Sequence, residues 1–300
     1  MKAKNKGETE KFAQSKRLTY AVIAVITIII LASIFFYAHP SQPSQPKAAI
    51  IDQLSSSYLE KPIRYQNEAF INTTKELLYK RFSRIDYYSN NATVEQYKRL
   101  SSQNYKLIIW RAHSALDLNS KYIAISTSDR CDSKNYDQYL ENGQLTVCNI
   151  TGYHYFGITP KFVEEFMTGK FEDTVIIFMS CNGLKDGYYK TAETFEEKGV
   201  KVFISWDDWI DPSDNDNAIA QLLNYLINEN NTISEAVNKI PESPSSLEFG
   251  SSTLRYHPDP EVADYCIPDY RQKNVSSNAR FIVLAVLRKN LDMCWTGVAC

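Results

Sequence analysis

"LIIWRAHSAL" runs from Leu107 to Leu116, and "TVIIFMSCNGL" runs from Thr174 to Leu184. Each is an unbroken apolar run that stops on a side chain capable of chemistry, His113 in the first and Cys181 in the second. Continuous apolar runs of this length, rich in Ile, Val and Phe, read as strands buried on both faces. Such strands belong to a parallel sheet with helices covering each side.

The flanking segments agree. "KAAIIDQL" (Lys47 to Leu54), "RIDYYS" and "VKVFISW" read as further strands. Glu68 to Phe82 carries Phe70, Leu77, Leu78 and Phe82 at helical spacing. "TVEQYKRL" opens on a Thr cap, and "TPKFVEEFMTG" has a cap, a first-turn Pro and a closing Gly. "YKTAETFEEKG" and "ISEAVNKI" read as helices, as does Asn215 to Asn228, for which Ser213 and Asp216 supply a capping-box start. Tyr122 to Gly157 reads as strand and loop. Strands alternating with helices imply βαβ units with right-handed crossovers. The expected fold class is therefore α/β with a mainly parallel sheet.

Residues 18–37, "LTYAVIAVITIIILASIFFY", hold no charge, and at about 1.5 Å per residue they span a hydrocarbon core of about 30 Å. Lys2, Lys4, Lys6, Lys11, Lys16 and Arg17 precede them, so the positive flank faces the cytoplasm and the C-terminal bulk faces outward. The expected plan is a cytoplasmic basic tail (1–17), a transmembrane helix (18–37), a Pro-rich stalk (38–47), an α/β domain (48–240) and a Cys-containing extension packed on it (241–300). The chain would sit in the cell membrane as a single-pass protein with an extracytoplasmic body. A formal net charge of −2 gives no electrostatic case for nucleic acid. Phosphate-loop, dinucleotide-binding, zinc-peptidase and nucleophile-elbow motifs are absent, and no cofactor is expected.

Cysteines exported from the cytoplasm tend to pair. Cys131–Cys148 would close a hairpin-like segment, and Cys266, Cys294 and Cys300 offer a second bridge. Glycosylation sequons begin at Asn72, Asn91, Asn149, Asn230 and Asn274, all beyond the apolar segment.

Ligands of open parallel sheets bind beyond the carboxyl ends of the strands, where His113 and Cys181 fall. If their strands are neighbours about 4.8 Å apart, imidazole and thiol share one cleft. The imidazole can then take the thiol proton and deliver it to a leaving group. Backbone N–H groups of the turn at Asn182 and Gly183 would serve the oxyanion. The competing reading is a buried structural cysteine beside an ordinary turn histidine. Asp207, Asp208, Asp211, Asp214 and Asp216 gather where the next strand ends. Such carboxylates suit a basic substrate side chain or a calcium ion, and they are also the ordinary residues of turns and helix starts. Trp206 and Trp209 are candidates to wall the cleft.

"AHS" (Ala112–Ser114), "SC" (Ser180–Cys181) and "GVKVFISWDDWIDPSDNDNAIAQLLNYLI" together resemble the caspase-like cysteine peptidase superfamily, which includes caspases, gingipains, clostripain, separase and CHAT domains. The resemblance covers about residues 47–240. It implies a three-layer α/β/α sandwich, Cys181 as nucleophile and His113 as general acid/base. The implied activity is a membrane-anchored, extracytoplasmic thiol protease acting on protein or peptide substrates. Ser114 stands where the family has a glycine that helps form the oxyanion hole. Its N–H remains available in principle, while its side chain narrows the approach. Two alternatives follow: an inactive caspase-like surface binding module, and a thiol hydrolase or transferase acting on non-peptide acyl groups.

Overall fold

A computed structural model of the chain describes residues 25–30, 45–61, 64–131, 134–244 and 250–271. Residues 1–45 and 46–300 separate as two units. Of the first, residues 25–30 are helical and exposed. Among the described residues no helix is long and apolar enough to cross a membrane, and the remainder of the 18–37 span lies outside them, as do the basic tail and most of the stalk.

The second unit is a mixed α/β body around a six-stranded sheet. Its strands are β1 (Lys47–Asp52), β2 (Ile85–Tyr88), β3 (Tyr105–Arg111), β8 (Thr174–Met179), β9 (Val200–Trp206) and β12 (Leu254–His257), ordered β12-β9-β8-β3-β1-β2. All neighbours are parallel except β12, which runs antiparallel to β9. The sheet therefore continues past residue 240, into the segment expected to be an extension. A second sheet, β4 (Ser114–Asp117), β5 (Tyr122–Arg130), β6 (Leu145–Ile150) and β7 (Tyr153–Ile158), is antiparallel in the order β4-β5-β7-β6. The sequence reading anticipated strands here but not a separate sheet. A two-residue ladder joins β10 (Ser243–Pro244) to β11 (Ser251–Ser252).

Successive residues of a strand point to opposite faces, and the main sheet uses both. Ile50, Ile109, Ile177 and Ile204 enter one core with α1 (Glu68–Leu78), the later helix α6 (Pro212–Leu223) and α7 (Ile233–Asn238). Ile51, Trp110, Phe178 and Phe203 enter the other, with α2 (Val94–Arg99), α4 (Pro160–Glu165), α5 (Lys190–Glu197) and the second sheet. The short α3 (Asp137–Glu141) lies between β5 and β6 in sequence and has no buried residue. Each of these central apolar pairs is fully or nearly fully buried, worth about 1.5–3 kcal/mol per large side chain against exposure.

Caps account for most helix starts: Thr93, Thr159 and Thr232 each accept a backbone N–H three residues on, Thr232 within a full capping box. α6 starts earlier than its apolar spacing suggests. Asp211 is its cap, accepting Ser213 N–H at 2.8 Å, and Pro212 follows. Ser213 and Asp216 do not form the cap, and Asp216 is buried for a different purpose. α6 passes at Asn224–Asn228 into a π-helical turn, where the chain was expected to stay regular.

Candidate active site

β3 and β8 are hydrogen-bonded neighbours, with Arg111 opposite Met179 as their last pair. Two residues beyond that pair stand His113 and Cys181. Both line one cleft of about 550 Å³ at the carboxyl ends of the parallel strands, beside the point where the chain order reverses across β1. The volume falls within the usual range for ligand sites, about 300–1,000 Å³.

The backbone around the histidine is pinned on several sides. Gln53, fully buried just past β1, accepts His113 N–H at 3.1 Å through Oε1 and donates to the Thr127 carbonyl at 3.2 Å. The His113 carbonyl accepts Ser126 N–H at 2.9 Å. The chain then leaves the main sheet into β4, whose first residue is Ser114. Ser114 Oγ donates to the Cys181 carbonyl at 2.7 Å. The hydroxyl thus ties the histidine segment directly to the cysteine turn. The Tyr65 ring meets the imidazole edge-on, with centroids 6.3 Å apart.

Cys181 is half-buried. Its sulfur lies 3.7 Å from the Ile210 carbonyl, and its own N–H turns back toward the sulfur. Burial pushes the thiol pKa up, and the negative charges of Asp208 and Asp211 add to that, outweighing the Ile210 contact. The resting side chain is therefore a protonated thiol, and nucleophilic attack requires a base to remove the proton in step with bond formation.

The turn differs from the expected oxyanion hole. Asn182 sits in the left-handed region at φ 58°, and its N–H is committed to the Asp208 carbonyl at 3.0 Å. Gly183 is required for close packing: a Cβ there would stand 2.0 Å from Ser205 Oγ and 2.9 Å from Phe178. Leu184 N–H is bonded to the Trp206 carbonyl. Cys181 N–H lies beside the sulfur as a further donor of the turn. On either side of Cys181, Ser180 Oγ and Asn182 Oδ1 are buried without a hydrogen-bond partner. Such orphans cost about 1–3 kcal/mol each; others, at Thr74, Ser128 and Gln144, lie away from the cleft, and what distinguishes this pair is that both flank the thiol.

The aspartates do not converge. Asp207 accepts Thr253 N–H and pairs with Arg255, both at 2.8 Å. Asp208 caps Trp209 N–H at 2.9 Å and faces Lys185 at 3.4 Å. Asp211 alone of the three lines the cleft, and it is occupied as the helix cap. Among the described residues no group of His, Cys, Asp and Glu could hold a metal ion, so the calcium expectation finds no ligand set. Trp209 lines the cleft and is half exposed, while Trp206 is buried with its indole N–H on Asn215 Oδ1.

Cys131 and Cys148 are thiols, not the expected disulfide. Arg130 and Cys148 flank Tyr155 from β5 and β6, on opposite sides of β7. Cys131, next to Arg130, is thus about two strand spacings from Cys148, about 9–10 Å, whereas a disulfide needs Cα atoms within about 7 Å. Cys294, Cys300 and Asn274 lie outside the described residues. Asn72, Asn91, Asn149 and Asn230 are exposed.

One cluster escaped the sequence reading. Arg111, almost wholly buried, holds Asp216 through both carboxylate oxygens at 2.7 and 2.9 Å and Asp52 at 2.8 Å, and it also donates to the Tyr65 carbonyl. Asn67 and Tyr87 donate to the same carboxylates. The available signal was charge at the end of an apolar strand: Asp52 in "AIIDQ" and Arg111 in "IIWRAH".

No family model and no curated protein matches this chain.

Proposed function

We propose that this chain is a cysteine peptidase of the caspase-like type, a three-layer sandwich whose Cys181–His113 dyad cleaves peptide bonds on the outer side of a membrane to which residues 18–37 tether it. The observation that carries the reading is the direct parallel pairing of β3 with β8, which sends His113 and Cys181 into one cleft. Three further features support it: a cleft of ligand size, a histidine backbone held from both ends, and unpaired polar atoms flanking the thiol.

In the proposed reaction His113 takes the Cys181 proton as sulfur attacks the substrate carbonyl. Negative charge collects on the carbonyl oxygen near Cys181 N–H. The imidazolium returns its proton to the departing amine, and the thioester is then hydrolysed by water with His113 as base. The raised thiol pKa makes that base essential, since little thiolate exists at neutral pH without it.

The test is selective labelling by an electrophilic acyl probe, with the modified residue located by peptide mass spectrometry. Cys181 is expected to react first, and His113→Ala to slow it by about 10²–10⁴-fold, the usual range for losing a general base. Equal labelling of both proteins would remove the dyad. The same result would favour the non-catalytic binding module, a reading to which the protonated resting thiol lends support.

A further inference from the structure

The walls of the cleft carry information about what it would hold, an inference that rests on the peptidase reading. No Lys or Arg lines the cleft, so an acidic substrate side chain meets no cation there among the described residues. The nearest buried cation, Arg111, is already shared by Asp52 and Asp216. A basic side chain fares little better. Asp207 and Asp208 are not in the lining and are engaged by Arg255 and Lys185. Asp211, the one carboxylate that lines it, has its Oδ1 held by Ser213 N–H at 2.8 Å and Ser213 Oγ at 2.7 Å. Using that oxygen to bind a cation would compete with the cap of α6.

The surface of the remaining wall is mostly apolar: Leu54, Leu116, Ile150, Met179, Trp209 and Ile210 line it, interspersed with uncharged polar side chains such as Asn149, Thr151 and Asn215. Trp209 is 50% exposed, a large amount of aromatic surface for a residue next to a buried strand end. Ile210 is buried, and its carbonyl contacts the Cys181 sulfur, so this wall is continuous with the thiol. Burial of apolar surface is the chief favourable contribution such a wall can make.

We infer that the cleft takes a bulky apolar side chain, aromatic or branched aliphatic, on the acyl side of the bond that Cys181 attacks, and disfavours both acidic and basic residues there. The basic preference entertained from the aspartate-rich sequence is replaced by one set by Trp209 and the aliphatic wall.

The experiment uses the full chain and acyloxymethyl ketone probes that share one peptide backbone and end in Phe, Leu, Arg or Asp. Labelling rates at Cys181 are compared. The Phe or Leu probe is expected to react about tenfold faster than the Arg and Asp probes, the order of discrimination a hydrophobic pocket provides. An Arg or Asp probe reacting as fast or faster would overturn the inference. A binding measurement keeps the two claims apart. Cys181→Ala, which cannot react, is titrated with N-acetyl-phenylalaninamide and N-acetyl-argininamide and followed by NMR. Preference for the phenylalanine compound without labelling by any probe would uphold the apolar site and overturn the peptidase chemistry. Equal binding, or none, would overturn the site. Trp209→Ala, at an exposed position, is expected to shrink the Phe-to-Arg ratio at least about threefold, and an unchanged ratio would overturn the assignment of the Trp209 wall.

Discussion

A single residue, Ala112, separates Arg111 from His113, yet the regions they anchor are built on opposite terms. Around Arg111 every charge is met: two aspartates, a backbone carbonyl, an asparagine and a tyrosine close a dry ionic junction beneath the strand ends. Around Cys181 the chain leaves polar atoms of Ser180 and Asn182 unpaired, holds a neutral thiol and keeps an open cleft. The junction locks β1, β3 and α6 together, and the cleft spends stability at the same edge of the sheet. Strand ends supply both kinds of site because side chains there have left the ladder while their backbone remains fixed by it.

The sharpest way to break the junction is Arg111→Leu. It strands two buried carboxylates, and a loss of about 3–5 kcal/mol is expected in urea unfolding. Replacing Arg111, Asp52 and Asp216 together by apolar residues of similar volume should recover most of that loss. If the single variant proves as stable as the parent, the junction is not the clamp described.

Gln53→Leu tests the link between clamp and cleft. It leaves His113 N–H without its partner and the Thr127 carbonyl with Ser126 Oγ alone, at about 1–3 kcal/mol. It should also slow probe labelling by up to about 10²-fold, because small displacements of a catalytic group are costly. A stability loss with unchanged labelling would make Gln53 structural only.

Cys148 provides a pH test away from the cleft. Burial, with a smaller contribution from nearby Cys131, pushes its pKa up to about 12. The unfolded thiol ionises near about 8.5, so the folded state binds the proton more tightly above that pH. Stability from this group is complete below about pH 8.5 and falls by about 1.4 kcal/mol per pH unit until the folded pKa is passed. Chemical denaturation of the parent and Cys148→Ser at pH 8 and 10 measures it: the parent should lose more on going to pH 10. Equal losses would show that burial does not hold this thiol neutral.

Ser114→Ala removes the hydroxyl bridge to the Cys181 carbonyl and should cost about 0.5–1.5 kcal/mol, the usual net value of a hydrogen bond. Ser114→Gly, which restores the residue of the family this chain resembles, should lower labelling along with stability if the bridge matters more than access. Faster labelling by Ser114→Gly would mean that the side chain obstructs the cleft.

Strands β1, β3, β8 and β9 and most helices were legible in the sequence because their signals are local: uninterrupted apolar runs, alternating or helical spacing, Thr and Pro at helix starts. The start of α6 was misread since Ser213 and Asp216 match a capping pattern that Asp211 also matches, and only packing shows Asp216 drawn inward by Arg111. The antiparallel sheet after His113 was invisible for a related reason, as pairing partners are set by tertiary register.

By itself the sequence determined that His113 and Cys181 would each end a buried strand, that the sheet would be mainly parallel, and that an apolar segment precedes it. Tertiary structure decided that those strands are neighbours, that the Asn182 N–H is occupied and the aspartates dispersed, and that Cys131 and Cys148 stand across a strand from one another. The reason is one of range. Hydrophobic periodicity and capping act over a few residues, whereas strand order and charge pairing depend on which distant segments share a surface, such as Asp52, Arg111 and Asp216.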